Sequence, residues 1–161
     1  MIEHIIATDF DRLFEIEQQA HIIPWSKGTL LNNQGERYLN LKLLDQRNNI
    51  VGFAICNVVL DEATLFNIAV DPAEQGKGYG KVLLQGLIEE LGKKSVLTLW
   101  LEVRESNTKA QQLYTQLGFN EVTIRKHYYP LPDGKKENAI VMALYLYCLL
   151  YTSPSPRDYA A

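Results

Sequence analysis

Apolar positions along the chain change spacing from stretch to stretch, and the changes mark the elements. Residues 2–7 open as a short apolar strand. Thr8, with Asp11 three positions on, reads as the cap of a helix whose Leu13, Ile16 and Ala20 share one face. Pro24-Trp25-Ser26 breaks that helix, and Ser26 can cap a second one ending near Gly35. Residues 37–44 and 50–60 read as strands around the turn Asp45-Gln46-Arg47-Asn48-Asn49. The second strand is too continuously apolar to leave one face wet. Asp61-Glu62 marks a turn, and residues 64–70 form another strand. Asp71-Pro72 ends it, because proline offers no ladder donor and restricts the residue before it. Beyond glycines 76, 78 and 80, residues Val82, Leu83, Leu84, Leu87, Ile88 and Leu91 make one helical stripe. Gly92 is the predicted stop, with Lys93 and Lys94 at the negative end of the dipole. Residues 96–103 read as an apolar strand containing Trp100. Ser106 or Asn107 caps a further helix through Ala110, Leu113, Tyr114 and Leu117 to Gly118. Residues 119–127 and 137–144 close the pattern as two strands joined by Pro130-Leu131-Pro132-Asp133-Gly134. About seven strands and about four helices in this order predict one α+β domain with a mixed central sheet over residues 1–144.

Composition narrows the function. With 161 residues there is little room for a second domain, and 47% hydrophobic against 22% charged residues excludes a mostly disordered chain. A net charge of -3 lacks the basic excess of a dedicated nucleic-acid binder, so no direct nucleic-acid binding is expected. No apolar run is long enough for a membrane helix, and Met1-Ile2-Glu3-His4 is not the basic start of a signal peptide. The expectation is a cytoplasmic domain without a membrane partner. Cys56 and Cys148 are too few and too far apart for a metal cluster or a disulfide framework, and no metal site is predicted. A monomer is favoured, although no sequence feature reports oligomeric state. Residues 145–161 stand apart: an apolar Tyr-Leu-Tyr-Cys-Leu-Leu-Tyr run precedes a Pro/Ser-rich one that cannot build a core. They are expected to form a disordered tail after a slight extension of the last strand. They also look like out-of-frame or adapter-derived translation fused to a domain complete near Leu144. An intact reading frame through Ala161 on resequencing would overturn that expectation.

The segment Gln75-Gly76-Lys77-Gly78-Tyr79-Gly80-Lys81 lies between a strand and a helix. Glycines let backbone amides approach an anion without an intervening Cβ, and a helix N-terminus adds partial positive charge. Together they read as a pyrophosphate cradle, to which Lys77 and Lys81 can add direct charge. A turn alone needs fewer glycines. A triphosphate P-loop fails twice, since Gln75 stands where its first Gly should be and Val82 where its hydroxyl should be. A dinucleotide fingerprint must follow its strand immediately, yet residues 71–75 intervene and position 81 is Lys; Glu102 only superficially fits the ribose-binding acid.

Gln-x-x-Gly-x-Gly after a strand ending Val-Asp-Pro resembles the acetyl-CoA loop of the GNAT N-acetyltransferase superfamily, and the resemblance extends over about residues 1–144. Residues 33–38 (Asn-Gln-Gly-Glu-Arg-Tyr), 61–72, 99–104 (Leu-Trp-Leu-Glu-Val-Arg) and 117–120 (Leu-Gly-Phe-Asn) are similar to the bacterial ribosomal-protein alanine N-acetyltransferases within it. The resemblance implies the GNAT (acyl-CoA N-acyltransferase) fold and acetyl-CoA as co-substrate. It also implies an acceptor: the N-terminal alanine of small-subunit ribosomal protein eighteen, acetylated by direct attack in a ternary complex. Composition and spacing do not specify that acceptor. A small amine, a lysine side chain, or a non-catalytic acyl-CoA-binding module are the alternatives.

Acetyl transfer to an amine needs a base, a polarised carbonyl and a proton for the leaving group. The resemblance assigns Glu102 as base, through water, and Tyr114 as general acid. Glu102 ends an otherwise apolar strand, where partial desolvation should raise its pKa; the other reading is a solvent-facing Glu or one paired with Arg104. Tyr114 could equally be a core aromatic. The resemblance places the backbone of Ile68, Ala69 and Val70 along the pantetheine arm, which requires a splayed neighbour; otherwise these three are sheet core. Asn107 is implied as a coenzyme contact and is equally a helix cap. Trp25, residues 33–38 and the 126–136 turn would flank the acceptor, and Asp61 and Glu62 could attract its charge.

Overall fold

The computed structural model describes residues 1–146. Seven strands form one sheet: β1 (Ile2–His4), β2 (Tyr38–Leu44), β3 (Ile50–Val59), β4 (Glu62–Val70), β5 (Thr98–Arg104), β6 (Asn120–Pro130) and β7 (Lys136–Tyr145). Their order is β1-β2-β3-β4-β5-β7-β6, antiparallel throughout except for the parallel β4–β5 pair. Helices α1 (Phe10–Ala20) and α2 (Lys27–Asn32) cover one face; α3 (Tyr79–Lys93) and α4 (Thr108–Gln116) cover the other. This is the expected α+β architecture of seven strands and four α-helices. β3 lies between the two layers. Phe53 and Ile55 join the α1 core, Ala54 and Cys56 join the α3 core, and its unbroken apolar run follows from that position. Burial pushes the Cys56 thiol up to about 12, which leaves it an inert core group.

Three local expectations change in the structure. Residues 7–9 form a 3-10 turn, so Thr8 caps nothing; Asp9 accepts the Ile6 N–H at 2.8 Å instead. Gly92 sits inside α3, and the helix ends in a Schellman turn with Ser95 left-handed at φ +61°. Val96 N–H bonds Leu91 O and Ser95 N–H bonds Gly92 O, and burial of Leu91 and Val96 side by side holds the turn. β6 runs on to Pro130, with two extra residues opposite β7 between Arg125 and Tyr129. The last strand extends slightly past Leu144, as expected. Tyr145 continues β7, and Leu146 is buried with its N–H on Leu97 O. The tail expected beyond it, at 147–161, lies outside the described residues.

Candidate active site

The site begins with a fault in the sheet. β4 and β5 pair only from Glu62↔Thr98 to Leu65↔Leu101. Beyond Leu65, β4 stays on β3 while β5 stays on β7, and the two diverge. A β-bulge coincides with the divergence: Cys56 opposes Leu65 but Ile55 opposes Asn67, so Phe66 is the extra residue. Because strand side chains alternate, one extra residue reverses the facing of everything after it. Ala63 and Leu65 pack toward α3, whereas Ala69 packs toward α1. Residues 66–70 thus present an outer backbone edge that no strand pairs among the described residues. The splay demanded of Ile68, Ala69 and Val70 is present, and all three line a cavity of about 730 Å³ between the strands.

At one end of the cavity the glycine segment is shaped as an anion cradle. Gly76 and Gly78 take φ +84° and +80°, and a Cβ on either would meet no atom within 4 Å. The space beside the backbone is open, as close approach of a ligand requires. Gly78 caps α3 with no side-chain bond, and the first helical bond runs from Val82 N–H to Gly78 O. The amides of Tyr79, Gly80 and Lys81 are therefore free of intrahelical partners at the positive end of a 15-residue helix. Gln75, Gly76, Gly78, Tyr79, Gly80 and Lys81 all line the cavity. Lys77 does not. Its ammonium is held by Glu74, so the direct charge expected of its side chain is turned away from the cradle.

A residue not singled out in the sequence anchors this loop. Arg12 of α1 donates to Asp71 Oδ2 at 2.6 Å and to Ile50 O at 3.1 Å, while Asp71 Oδ1 accepts the Ala73 N–H. The Arg12 hydrogen bond holds the Asp71 carboxyl below its ordinary value. A depressed folded pKa contributes stability that is complete above the unfolded value, near 3.9, and lost as pH falls through the folded one. Arg12→Met should accordingly lower Tm relative to wild type at neutral pH, with the gap closing below about pH 4. Melting curves from pH 7 down to 3 check this, and a gap independent of pH would remove the pair's role.

The far wall carries the candidate catalytic groups. Glu102 and Tyr114 both line the cavity. Glu102 Oε2 is buried without a hydrogen-bond partner, and Arg125 Nε, the nearest cation, stands off at 3.8 Å. The alternative pairing with Arg104 is not formed. Arg104 donates to Glu137 Oε2 and Pro130 O, and its guanidinium lies 4.6 Å from the Tyr129 ring centroid. Tyr114 is held by the end of α4, where Phe119 N–H bonds Tyr114 O and the two rings pack at 5.6 Å. Burial pushes its phenol up, so it stays protonated at neutral pH. Asn107 both caps α4, accepting the Ala110 N–H at 3.1 Å, and lines the cavity, so its two readings are compatible.

On the acceptor side the structure redistributes the candidates. Trp25 lines the cavity, but residues 33–38 do not; Tyr38 packs edge-on to Phe66, and its hydroxyl donates to Asn33 Oδ1. Asp61 and Glu62 lie at the closed end of the β4–β5 pair, where Glu62 accepts the Trp100 indole N–H, and neither reaches the cavity. From the 126–136 turn only Tyr129 does, brought there by the β6 bulge at His127, whose N–H bonds Asn138 Oδ1. Burial and then the Glu102 charge push the Tyr129 phenol up to about 12. Glu17, His21 and Asn67 complete this wall and were not singled out from sequence. Glu17 occupies a core position of the α1 stripe, and that was its only signal. Among the described residues no three His, Cys, Asp or Glu side chains gather as a metal site, and no helix is long and apolar enough to cross a membrane.

Comparison with known proteins bears on the fold that carries this geometry. The profile of the Acetyltransferase (GNAT) family matches residues 1–119. The [ribosomal protein bS18]-alanine N-acetyltransferase of Haemophilus ducreyi is 66% identical over 146 residues, covering 91% of this chain and 100% of that protein. The enzyme of the same name from Haemophilus influenzae is 66% identical over 146 residues, covering 91% and 99%. The crystal structure of the ribosomal-protein-S18-alanine N-acetyltransferase from Escherichia coli superposes with a TM-score of 0.86 at 55% identity, covering 91% of this chain and 93% of that one.

Proposed function

Since the chain belongs to the GNAT acetyltransferase family, we propose that it acetylates the N-terminal alanine of ribosomal protein bS18, using acetyl-CoA, by direct attack of the free amine in a ternary complex. The acceptor rests on the bS18-alanine N-acetyltransferases that match nearly the whole chain. The chemistry rests on one observation above others: a buried, unpartnered carboxylate oxygen of Glu102 in the same cavity as an open amide cradle. A ribosomal acceptor places the reaction in the cytoplasm.

Acetyl-CoA, when bound, supplies the activated thioester. The amides at 76–81 and the dipole of α3 hold its diphosphate, and the unpaired edge of β4 at 68–70 aligns its arm as an added strand. Glu102 Oε2 takes the proton of the acceptor amine, directly or through a water, because no hydrogen bond occupies that oxygen. Tyr114 holds a proton at its phenol oxygen for the departing sulfur. Cys56 is buried in the α3 core and lines no part of the cavity, so among the described residues no thiol stands ready to form an acetyl-enzyme.

Synthetic peptides beginning with alanine, beside their N-terminally blocked forms, test the reading by mass spectrometry. Acetyl should appear on the free α-amine alone; transfer to a lysine ε-amine, or to no peptide, would overturn it. Tyr114→Phe keeps the ring and removes the proton. It should lower kcat by about 10²-fold with coenzyme affinity unchanged, and undiminished turnover would reduce Tyr114 to packing.

A further inference from the structure

Glu17 is a carboxylate with 1% of its side chain exposed, in a helix whose neighbouring buried positions are apolar. The catalytic steps above make no use of it. Its two oxygens are nevertheless committed. Oε2 accepts the backbone N–H of Trp25 at 2.9 Å, in the connection between α1 and α2. Oε1 accepts from Asn67 Nδ2 at 2.8 Å, on β4 immediately after the bulge. His21, one turn along α1, closes the set: its Nε2 bonds Asn67 Oδ1 at 2.9 Å and lies 3.5 Å from Glu17 Oε1. Glu17, His21, Trp25 and Asn67 all line the cavity.

The bulge is what makes this possible. Without Phe66 as an extra residue, Asn67 would share the α3-facing side of Leu65 and could not meet α1. The same irregularity that frees the outer edge of β4 for the coenzyme therefore turns a polar side chain toward the acceptor wall. Burying an ionised carboxylate is costly unless its lone pairs are used. Here they tie the segment carrying Trp25 to the strand that continues into Ile68–Val70, so two walls are joined through a single side chain.

We propose that Glu17 is a positioning residue for the acceptor: by bridging the Trp25 backbone and Asn67 it fixes the wall against which the incoming N-terminus lies, relative to the strand that aligns acetyl-CoA. The inference rests on the reading of this cavity as an acyltransferase cleft. Glu17 touches neither reacting atom and works through Trp25 and Asn67. It should therefore govern the acceptor and leave the coenzyme cradle, built from 75–81, alone.

Three variants test it. Glu17→Met keeps the length and removes both acceptors, Glu17→Gln keeps one, and Asn67→Ala cuts the β4 arm together with the His21 bond while leaving the Trp25 arm. Glu17→Met should lower kcat/KM for an alanyl peptide by about tenfold, mostly through KM, since it leaves the Trp25 N–H and the buried Asn67 amide unpaired. The KM for acetyl-CoA should stay within about twofold of wild type. Glu17→Gln should recover part of the loss, and Asn67→Ala should reproduce it if Glu17→Met does not fold. A wild-type acceptor KM in Glu17→Met or Asn67→Ala overturns the proposal. So does a parallel loss of acetyl-CoA affinity, which would mark a merely structural role. Failure of wild type on the peptide would instead strike the acceptor assignment. The bridge is then read without any acceptor, by acrylamide quenching of Trp25 in a Trp100→Phe background, where Glu17→Met should increase quenching and an unchanged value overturns the bridge.

Discussion

Glu102→Gln is expected to lower acetylation of an alanyl peptide by roughly 10²–10⁴-fold, the range for loss of a positioned proton acceptor. Glutamine keeps the side chain's shape and its place at the end of β5 but cannot take a proton. The size of the effect follows from what surrounds the carboxylate. Oε2 is buried with no hydrogen bond, Arg125 stands at 3.8 Å, and Arg104 is committed to Glu137 and Pro130. Tyr129, held protonated by burial and by the charge of Glu102, borders the same cavity and does not compete as a base at neutral pH. Coenzyme affinity should persist, because the free amides of the α3 N-terminus are untouched. Steady-state kinetics with the peptide and calorimetry with CoA check both halves. Retained turnover would remove Glu102 as base, and lost CoA binding would make it a structural residue.

Lys42→Met should destabilise the fold by about 3–5 kcal/mol, the cost of removing one partner from a buried ion pair. Lys42 faces the α1 layer beside Phe53, and its ammonium meets Asp9 Oδ2 at 2.7 Å with 7% and 11% of the two side chains exposed. Asp9 also holds the Ile6 N–H, so it cannot swing out to solvent without giving up the start of α1. Without the ammonium the Asp9 charge has no cation beside it in a dry site. Adding Asp9→Asn, which keeps the Ile6 bond and removes the charge, should recover much of the loss. Urea denaturation of the single and double variants decides. A single variant within about 1 kcal/mol of wild type would mean that the site is wetter than its exposure indicates.

Both effects depend on neighbours distant in the chain, which is where reading the sequence reaches its limit. By alternation Lys42 belongs to a solvent face, since Leu41 and Leu43 flank it; only the packing of the segment before α1 across β2 buries it. The cap at Thr8 and the stop at Gly92 fail for a related reason. Each is a sound local signal outweighed by another contact: Asp9 with Lys42, distant in the chain, in one case, and Leu91 with Val96, just past the helix end, in the other. The caps at Ser26 and Asn107 succeed because their partners, the N–H groups of Thr29 and Ala110, lie three residues away.

Element order, the α+β class, the family and the glycine segment proposed as a cradle were legible in the sequence. The cradle is contiguous, and its physics needs only glycine spacing and the helix that follows. Whether the cradle opens onto a cleft was settled by the tertiary structure, through the extra residue at Phe66 and the parting of β4 from β5 beyond Leu65. The same holds for Asn67 as a partner of Glu17 and Arg12 as a partner of Asp71, which lie 50 and 59 residues away along the chain. A bulge reverses the facing of every later side chain without altering the apolar spacing enough to be noticed. Bonds across such separations leave no period in the chain, so the acceptor wall could be found only once the sheet was assembled.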